Sequence, residues 1–335
     1  MYQIIVPAAS SFSSLPLPRN VFLPPRPSLL SFILILCLSK MTSNECGDKK
    51  AGAPGSGSKA AEIYADIAFD YNAAKSNPFK RYVEEPTFAA AVLASSCSSS
   101  GIYPSSSSCS LSGQHVLDLG CGSGYYCRIL KNEIGAEVVR GVDVSEHMLA
   151  EAKRQEAENP LGIKFLCQDL LDPLAATKIK EAFGAPDQMD LVTAEYLMPY
   201  AASREELNQL CANAASLVKP GGRFCSIVSM CTDSIMSATD GILESSNLGW
   251  ASTWEGDAHD GMVVDMTLFG EGRSSRVSFP NVLWTQKTIK AAMKLAGFTK
   301  VVWMPVLAGD NAPDAVKKAS EDINKTPIGV FVASM

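Results

Sequence analysis

Short apolar segments alternate with helix-patterned segments between positions 115 and 228, and this alternation constrains the fold more than any other feature. We predict strands over the apolar segments 115–120, 137–144, 163–167, 190–194 and 223–228. Each intervening segment is long enough for one helix. Strands that alternate with helices in this way build right-handed βαβ units and a parallel sheet. The sequence therefore predicts a three-layer α/β sandwich.

Further segments surround this alternating core. Residues 59–94 are predicted as a helical cap broken at Asn77-Pro78, and such a cap would cover the crevice beyond the carboxyl ends of the strands. The segment at about 232–261 follows the fifth strand and is predicted to form a lid insertion. Beyond it we predict a hairpin from 263–269 and 275–280, followed by a helix at 288–296. Two last strands are predicted at 299–307 and 328–334. The core domain then spans 114–335.

Two segments of low complexity lie outside the predicted core. Residues 1–58 combine an acid-poor leader, whose apolar run at 29–38 is too short to span a membrane, with a Gly/Ser-rich linker. The leader fits a signal sequence, an organellar transit peptide, or an extension ahead of a true start at Met41. We expect a cytoplasmic protein, or one in an organelle interior if the leader is a targeting segment. Residues 95–113 are predicted as a Ser-rich surface insertion.

The charge balance excludes some classes of partner. The chain has 29 Lys and Arg against 35 Asp and Glu, which gives a net charge of −6. A nucleic-acid partner would need a basic surface, so we expect none, and we expect no membrane span in the mature protein. The ten cysteines include no C-x-x-C pair, and with three histidines they offer no zinc-ligand spacing, so we expect no metal. A small molecule is the favoured partner, and the oligomeric state stays open.

A glycine-rich loop, DLGCGSG at 118–124, directly follows the first predicted strand and opens a helix. Glycines let the backbone approach a ligand closely. A dinucleotide loop reads G-x-G-x-x-G, whereas here Tyr125 stands at the sixth position and Gly124 comes one residue early. Asp118 would repel a pyrophosphate and attract an ammonium group. The sequence therefore predicts a ligand that is cationic at this point and has no phosphate there.

Acidic residues end the next three strands as well. Asp143 closes the second strand, where a carboxylate accepts hydrogen bonds from a ribose diol. Asp169 follows the third strand, where it could accept a hydrogen bond from an adenine amino group. Glu195-Tyr196 ends the fourth strand, near the expected place of reaction. Each acid alone could cap a helix or stabilise a turn, but together with the glycine loop they predict a site for a nucleoside.

These motifs resemble those of the class I S-adenosylmethionine-dependent methyltransferases. The likeness covers about 115–335 and rests on DLGCGSG, GVDVS, QDLLDP and LVKPGGRF. It implies a Rossmann-like, mostly parallel sheet of seven strands, and S-adenosyl-L-methionine as the cofactor. It also implies a set of cofactor-binding residues. These are Asp118 near the methionine amino group, Gly120, Cys121 and Gly122 along the methionine part, Asp143 at the ribose, Val144 and Met148 beside the adenine, Asp169 and Leu170 at the edge of the base, and Glu195.

A second resemblance concerns the cap. Residues 71–85, YNAAKSNPFKRYVEE, are similar to the N-terminal cap of small-molecule methyltransferases of the toxoflavin-synthase type. In that group an aromatic and a basic residue of this segment help to close the cofactor site. The resemblance implies Tyr71 and Arg81 in those roles. The Ser-rich insertion departs from the pattern of that group, but it falls between the cap and the core.

The sequence constrains the methyl acceptor less than the cofactor. A hydroxyl acceptor usually needs a general base, whereas a thioether or free amine does not. No base is evident, and the candidates for a catalytic role are His259, Glu195 and Tyr196. We therefore expect a thioether sulfur or an amine nitrogen, for example in 2-hydroxy-4-methylthiobutanoate, which would become a sulfonium. Trp250 and Trp254 would either form an aromatic wall beside a cation or anchor the lid.

Three alternatives stay open. The first is an O-methyltransferase that acts on a hydroxyl or carboxylate and uses His259 or a cap carboxylate as its base. The second is a nucleic-acid or protein methyltransferase, which the acidic charge balance disfavours. The third is a cofactor-binding subunit without catalysis, which the intact glycine loop disfavours.

Overall fold

The computed structural model of the chain describes residues 61–62, 71, 74, 77–94, 110–184, 189–237, 241–245, 248–270, 275–321 and 328–335. All of them belong to one compact unit, Ala53–Met335. The predicted leader and linker lie outside the described residues, as do most of the Ser-rich insertion and most of the first cap helix. No helix in the described ranges is both long and apolar enough to cross a bilayer.

Parallel strands form the centre of the sheet. They are β1 His115–Leu119, β2 Val138–Asp143, β3 Lys164–Cys167, β4 Met189–Thr193 and β5 Val218–Cys231. They lie side by side in the order β3-β2-β1-β4-β5. Because the chain changes direction across the sheet between β1 and β4, a crevice opens beyond the carboxyl ends of these two strands. Two C-terminal strands pair beyond β5: β11 (Ile328–Ser334) is antiparallel to β5 and to β10 (Lys300–Met304).

An antiparallel extension lengthens the sheet on the side of β5. It consists of β6 Ile242–Ser245, β7 Trp250–Thr253, β8 Met262–Phe269 and β9 Arg276–Thr285. The end of β5 pairs in parallel with β9, and the order continues β9-β8-β7-β6. The described sheet thus has eleven strands, not the predicted seven. The difference arises because the segment predicted as a lid contributes β6 and β7, and because β9 continues past Pro280, where the predicted strand ends.

Helices cover both faces of the sheet. A π-helical turn, Lys80–Glu84, leads directly into the helix of the cap. The helices are α1 Glu85–Leu93, α2 Tyr125–Asn132, α3 Glu146–Glu158, α4 Ala175–Phe183, α5 Arg204–Leu217, α6 Asp233–Ser237, α7 Gln286–Leu295 and α8 Asp314–Glu321, with a 3-10 turn at Met198–Tyr200. Ser145 caps α3 by accepting a hydrogen bond from the Met148 N–H, which confirms its predicted role.

Alternate residues of the strands divide the core into two layers. Leu117 of β1 packs in one layer, together with side chains of α4, α5 and α7. Its neighbour Val116 packs in the other layer, with side chains of α1, α2 and α3. This division confirms the predicted three-layer α/β sandwich. A third apolar cluster, which includes Trp254 and Phe279, lies under the antiparallel extension.

Hydrogen bonds fix the cap beside the crevice. The Phe79 N–H donates to the carbonyl of Leu248, just before β7, over 3.3 Å. On the other side of the cap, the Leu307 N–H donates to Thr87 Oγ1 over 2.8 Å. The cap is thereby held between the extension and the segment that follows β10.

Candidate active site

The glycine loop folds tightly over the end of β2. The N–H groups of Gly120 and Cys121 both donate to the carbonyl of Val142, over 2.7 and 3.0 Å. Gly122 has a φ of 53°, in the left-handed region where a side chain is costly. A Cβ at Gly122 would also lie 3.1 Å from Cε of Met148. The absence of side chains therefore keeps a cradle open between the loop and α3.

Asp143 lies at the edge of this cradle with its carboxylate held in place. Oδ2 accepts the N–H of Gly122 and Oδ1 accepts the N–H of Ser145, each over 2.8 Å. Burial raises the pKa of Asp143, and these backbone hydrogen bonds oppose that rise. Each carboxylate oxygen can accept more than one hydrogen bond, so this fixed group is suited to a diol.

A pair of buried acids lies below the loop. Asp118 is 1% exposed and lies close to the side chain of Glu195, which is 8% exposed. Thr193 Oγ1 donates to Asp118 Oδ1 over 3.0 Å, and Cys127 Sγ donates to Oδ2 over 3.4 Å. Burial raises the pKa of Asp118 to about 6, although these hydrogen bonds oppose it. Two acids so close in a buried place would be stabilised by a cationic group of a ligand.

A cleft of about 740 Å³, counted with its space open to solvent, lies above the loop. Most of the residues predicted for the cofactor line it: Tyr71, Gly120, Gly122, Asp143, Val144, Met148, Asp169, Leu170 and Glu195, together with Tyr196. Asp118 and Cys121 are not among its lining residues, since Asp118 is 1% exposed and the side chain of Cys121 lies toward Gly141 of β2. The sequence analysis missed five other lining residues: Gln168, Leu171, Leu197, Tyr200 and Leu210. Three of these directly adjoin strand-end motifs, but Leu210 on α5 carries no sequence signal.

This cleft fits S-adenosyl-L-methionine. The cradle at Gly120 and Gly122 would take the methionine part, and Glu195, which lines the cleft close to buried Asp118, would face the ammonium group. Asp143 would hold the ribose. Val144, Met148, Asp169 and Leu170 would surround the adenine. The fit rests on three observations: a cradle that a Cβ would fill, a fixed carboxylate, and a buried acid pair that a cation would stabilise.

A second cavity, of about 520 Å³ when counted with its space open to solvent, adjoins the cleft. Tyr71, Tyr196 and Tyr200 line both spaces and therefore stand where the two meet. The second cavity is further lined by Asn77, Phe79, Lys80, Glu84, Ser229, Trp250, Met266, Leu268, Phe279, Asn281 and Ile328. These residues come from the cap and from five different strands, so no continuous sequence motif could have predicted them.

Among the described residues that line this cavity, Glu84 is the one with a carboxylate side chain. The hydroxyl of Tyr126 donates to its Oε1, and the hydroxyl of Tyr196 donates to its Oε2 over 2.7 Å. Burial and the negative charge of Glu84 raise the pKa of both tyrosines, so both remain neutral donors. Tyr196 has a φ of 57°, a conformation that costs energy for a residue with a side chain. The network joins the cap, α2 and the end of β4.

Two residues of the sequence analysis lie elsewhere than expected. Arg81 is exposed and lines neither space, and its guanidinium lies 5.3 Å from the ring of Tyr82. Lys80, one residue earlier, lines the second cavity instead, with Nζ 3.2 Å from the ring centroid of Tyr125. Lys80 and Glu84 are four residues apart and share one face of the helical turn, which leaves Arg81 on the outer face.

His259 is also outside both spaces. It is exposed, and its Nδ1 lies 3.3 Å from the carbonyl of Asp260. The two tryptophans of the predicted lid differ in position. Trp250 lines the second cavity, whereas Trp254 packs in the apolar cluster under the extension.

Comparisons with known proteins address the same region. Residues 116–222 match the family model described as a methyltransferase domain. The ubiquinone biosynthesis O-methyltransferase of Coxiella burnetii (strain RSA 493 / Nine Mile phase I) is 34% identical over 114 residues, which are 34% of this chain and 43% of that protein. The protein of the same name from Stutzerimonas stutzeri (strain A1501) is 32% identical over 114 residues, 34% of this chain and 44% of that one. The chain thus matches less than half the length of these curated relatives.

A solved structure also aligns with this chain. The CcbJ methyltransferase of Streptomyces caelestis aligns with 82% of this chain and 96% of its own, at 18% identity and a TM-score of 0.49. The segment matched by the family model runs from β1 into β5 and holds the glycine loop, Asp143, Asp169 and Glu195. Residues 116–222 of this chain therefore match a methyltransferase domain.

Proposed function

We propose that this chain transfers a methyl group from S-adenosyl-L-methionine to a small molecule bound in the second cavity. The observation that carries the proposal is the meeting of the two spaces at Tyr71, Tyr196 and Tyr200. One space has the residues expected for the cofactor, and the other is lined by aromatic and apolar side chains together with a few polar and charged ones. An acceptor in the second cavity would face the cofactor across the tyrosines.

The bound cofactor supplies an electrophilic methyl group on a sulfonium, which carries the driving force of the reaction. The chain's own residues have a positioning role. The glycine loop and Asp143 would hold the cofactor, and the apolar side chains of the second cavity would exclude water from the acceptor. Orientation of two reactants in this way can account for most of a rate enhancement.

For the acceptor atom we favour sulfur or nitrogen, with 2-hydroxy-4-methylthiobutanoate as a candidate. A thioether needs no base, and His259, the expected alternative base, lies outside the cavity. Aromatic rings stabilise a cationic product. Lys80, at the wall of the cavity, offers a cation for the carboxylate of such an acid. The likeness of residues 71–85 to caps of small-molecule methyltransferases agrees with this proposal.

A second candidate is transfer to a hydroxyl oxygen. The observation that favours it is the buried carboxylate of Glu84, which could take a proton from a hydroxyl through the hydroxyl of Tyr196. This arrangement would use a cap carboxylate, one of the two bases considered for that alternative.

The test is a transfer assay with the full chain, labelled cofactor and a panel of thioethers, amines, phenols and carboxylic acids. Label on a thioether or amine would support the favoured acceptor class. Label on a phenol or carboxylate would support the second candidate. Binding of the cofactor without transfer to any class would contradict the proposal and leave a cofactor-binding subunit.

A further inference from the structure

We propose that Glu84 is the charge partner of the acceptor, so that the second cavity selects small molecules that become onium ions on methylation. This inference rests on the proposed function and narrows its substrate class. In the reaction, a lone pair of the acceptor sulfur or nitrogen forms the new bond to the methyl carbon. The bond from that carbon to the cofactor sulfur breaks, and its electron pair stays with that sulfur. The positive charge thereby passes to the acceptor atom, and for a thioether or tertiary amine no proton moves.

The position of Glu84 suits this role. Its side chain belongs to a residue only 3% exposed, yet it lines the cavity next to Tyr196, which stands where the two spaces meet. Two neutral tyrosine hydroxyls donate to its two oxygens. A carboxylate that accepts such hydrogen bonds is stabilised in its ionised form. A negative charge is therefore held beside the place where a positive charge would develop.

The walls of the cavity complement that charge. Phe79, Tyr200, Trp250 and Phe279 surround the space with aromatic rings, whose faces attract cations. Trp250 is 2% exposed, and its Nε1 has no hydrogen-bond partner among the described residues. A buried N–H of this kind is costly unless a ligand pairs with it. It is suited to an oxygen of the acceptor, such as a hydroxyl or a carboxylate.

Lys80 adds a charge of the opposite sign at the wall. Its Nζ stacks on the ring of Tyr125, whose hydroxyl donates to Glu85. The described lining thus includes one cation and one anion, four residues apart on the cap turn. The acceptor class that fits both is a small acid whose other end becomes an onium, which would make the product a zwitterion.

The experiment compares choline with 3,3-dimethylbutan-1-ol, which has the same shape but no charge. Binding of each to the full chain is measured by calorimetry, with the cofactor cleft filled by S-adenosylhomocysteine. We expect choline to bind at least about tenfold more tightly to the wild-type protein, because it combines the aromatic and ionic contacts. In Glu84→Gln the preference should fall below about threefold, while S-adenosylhomocysteine binds as before.

Glu85→Gln is the matched control, because it removes the same charge from the next residue, which does not line the cavity. We expect it to keep the preference for choline. Glu84→Asp keeps the charge on a shorter side chain and should retain most of the preference. Circular dichroism checks that both Glu84 variants are folded. If Glu84→Gln does not fold, the preference of Glu84→Asp is compared with that of the wild-type protein instead.

Equal binding of the two probes to the wild-type protein would overturn the inference, as would an unchanged preference in Glu84→Gln. If Glu84→Gln instead keeps the preference and shifts the pH profile of transfer to a phenol, Glu84 is a proton acceptor and the inference is wrong. Failure of the proposed function gives a different result. In that case no acceptor takes up label from the wild-type protein, whichever probe binds.

Discussion

The cofactor cleft and the second cavity each contain a buried acidic group, but the two groups are held in different ways. Below the cleft, Asp118 and Glu195 lie close together, and burial raises the pKa of Asp118 to about 6. In the second cavity, Glu84 accepts hydrogen bonds from two tyrosine hydroxyls. Burial opposes the charge of Asp118, which a cationic ligand would stabilise, whereas the charge of Glu84 is stabilised by hydrogen bonds from its own neighbours.

The difference follows from how the two sites are built. Asp118 and Glu195 end two adjacent parallel strands, so each lies within a recognisable motif. Glu84 and Tyr196 are 112 positions apart and meet only because the cap packs over the crevice. A site formed by residues at strand ends can therefore be predicted from short sequence motifs. A site formed where separate elements pack together cannot. Variants in the cleft should therefore change cofactor binding, and variants in the second cavity should change the KM for the acceptor.

The largest expected effect concerns Asp118 and pH. Its folded pKa of about 6 lies above the ordinary value of 3.8, so its protonated form contributes stability that is complete below about pH 4 and is lost as the pH rises through 6. Relative to Asp118→Asn, the wild-type protein should lose about 2 kcal/mol of unfolding free energy between pH 4 and pH 7. Chemical denaturation at both pH values measures this. If the difference in unfolding free energy between the wild-type protein and Asp118→Asn is the same at both pH values, the pKa of Asp118 is not raised by burial.

The next effect concerns binding of the cofactor. Asp143→Ala removes the fixed acceptor at the cradle and should weaken binding of S-adenosylmethionine by about 5- to 150-fold. Calorimetry measures it. Asp190→Ala is the control, because Asp190 lies at the opposite end of β4 and pairs with Lys219. The control should bind the cofactor as the wild-type protein does, and equal losses in both variants would refute the placement of the site.

A smaller effect should separate the two tryptophans. Trp250→Phe shrinks the aromatic wall of the second cavity and should raise the KM for the acceptor by about 2- to 30-fold, since tryptophan binds cations best. Trp254→Phe should leave that KM unchanged, because Trp254 packs under the extension. Steady-state kinetics with saturating cofactor measure both. If the two variants behave alike, Trp250 does not contact the acceptor.

The smallest effect is expected at His259. His259→Ala should change transfer by less than about twofold and the unfolding free energy by less than about 0.5 kcal/mol, because the side chain is exposed and lines neither space. The same transfer assay and denaturation series measure it. A large loss of transfer with unchanged cofactor binding would restore His259 as a base and move the acceptor site toward β8.

Much of the cofactor cleft could be predicted because its residues occupy repeated positions. Asp143 ends β2, while Asp169 and Glu195 lie two residues after β3 and β4, and parallel strands bring their carboxyl ends to one edge of the sheet. Errors arose where the facing of a residue depends on packing. Arg81 was expected at the site and Lys80 was not, because only the packed cap turn shows which of the two neighbours faces inward.

By itself, the sequence determined the parallel α/β core, the glycine loop and the acids that point to the cofactor, because periodicity and strand-end position are local properties of a chain. The tertiary structure alone decided the path of β9 past Pro280, the antiparallel extension and the second cavity. Asn77, for example, reaches the carbonyl of Gly249 across 172 positions. Contacts of that separation are set by how whole elements pack against one another, and no short stretch of sequence encodes them.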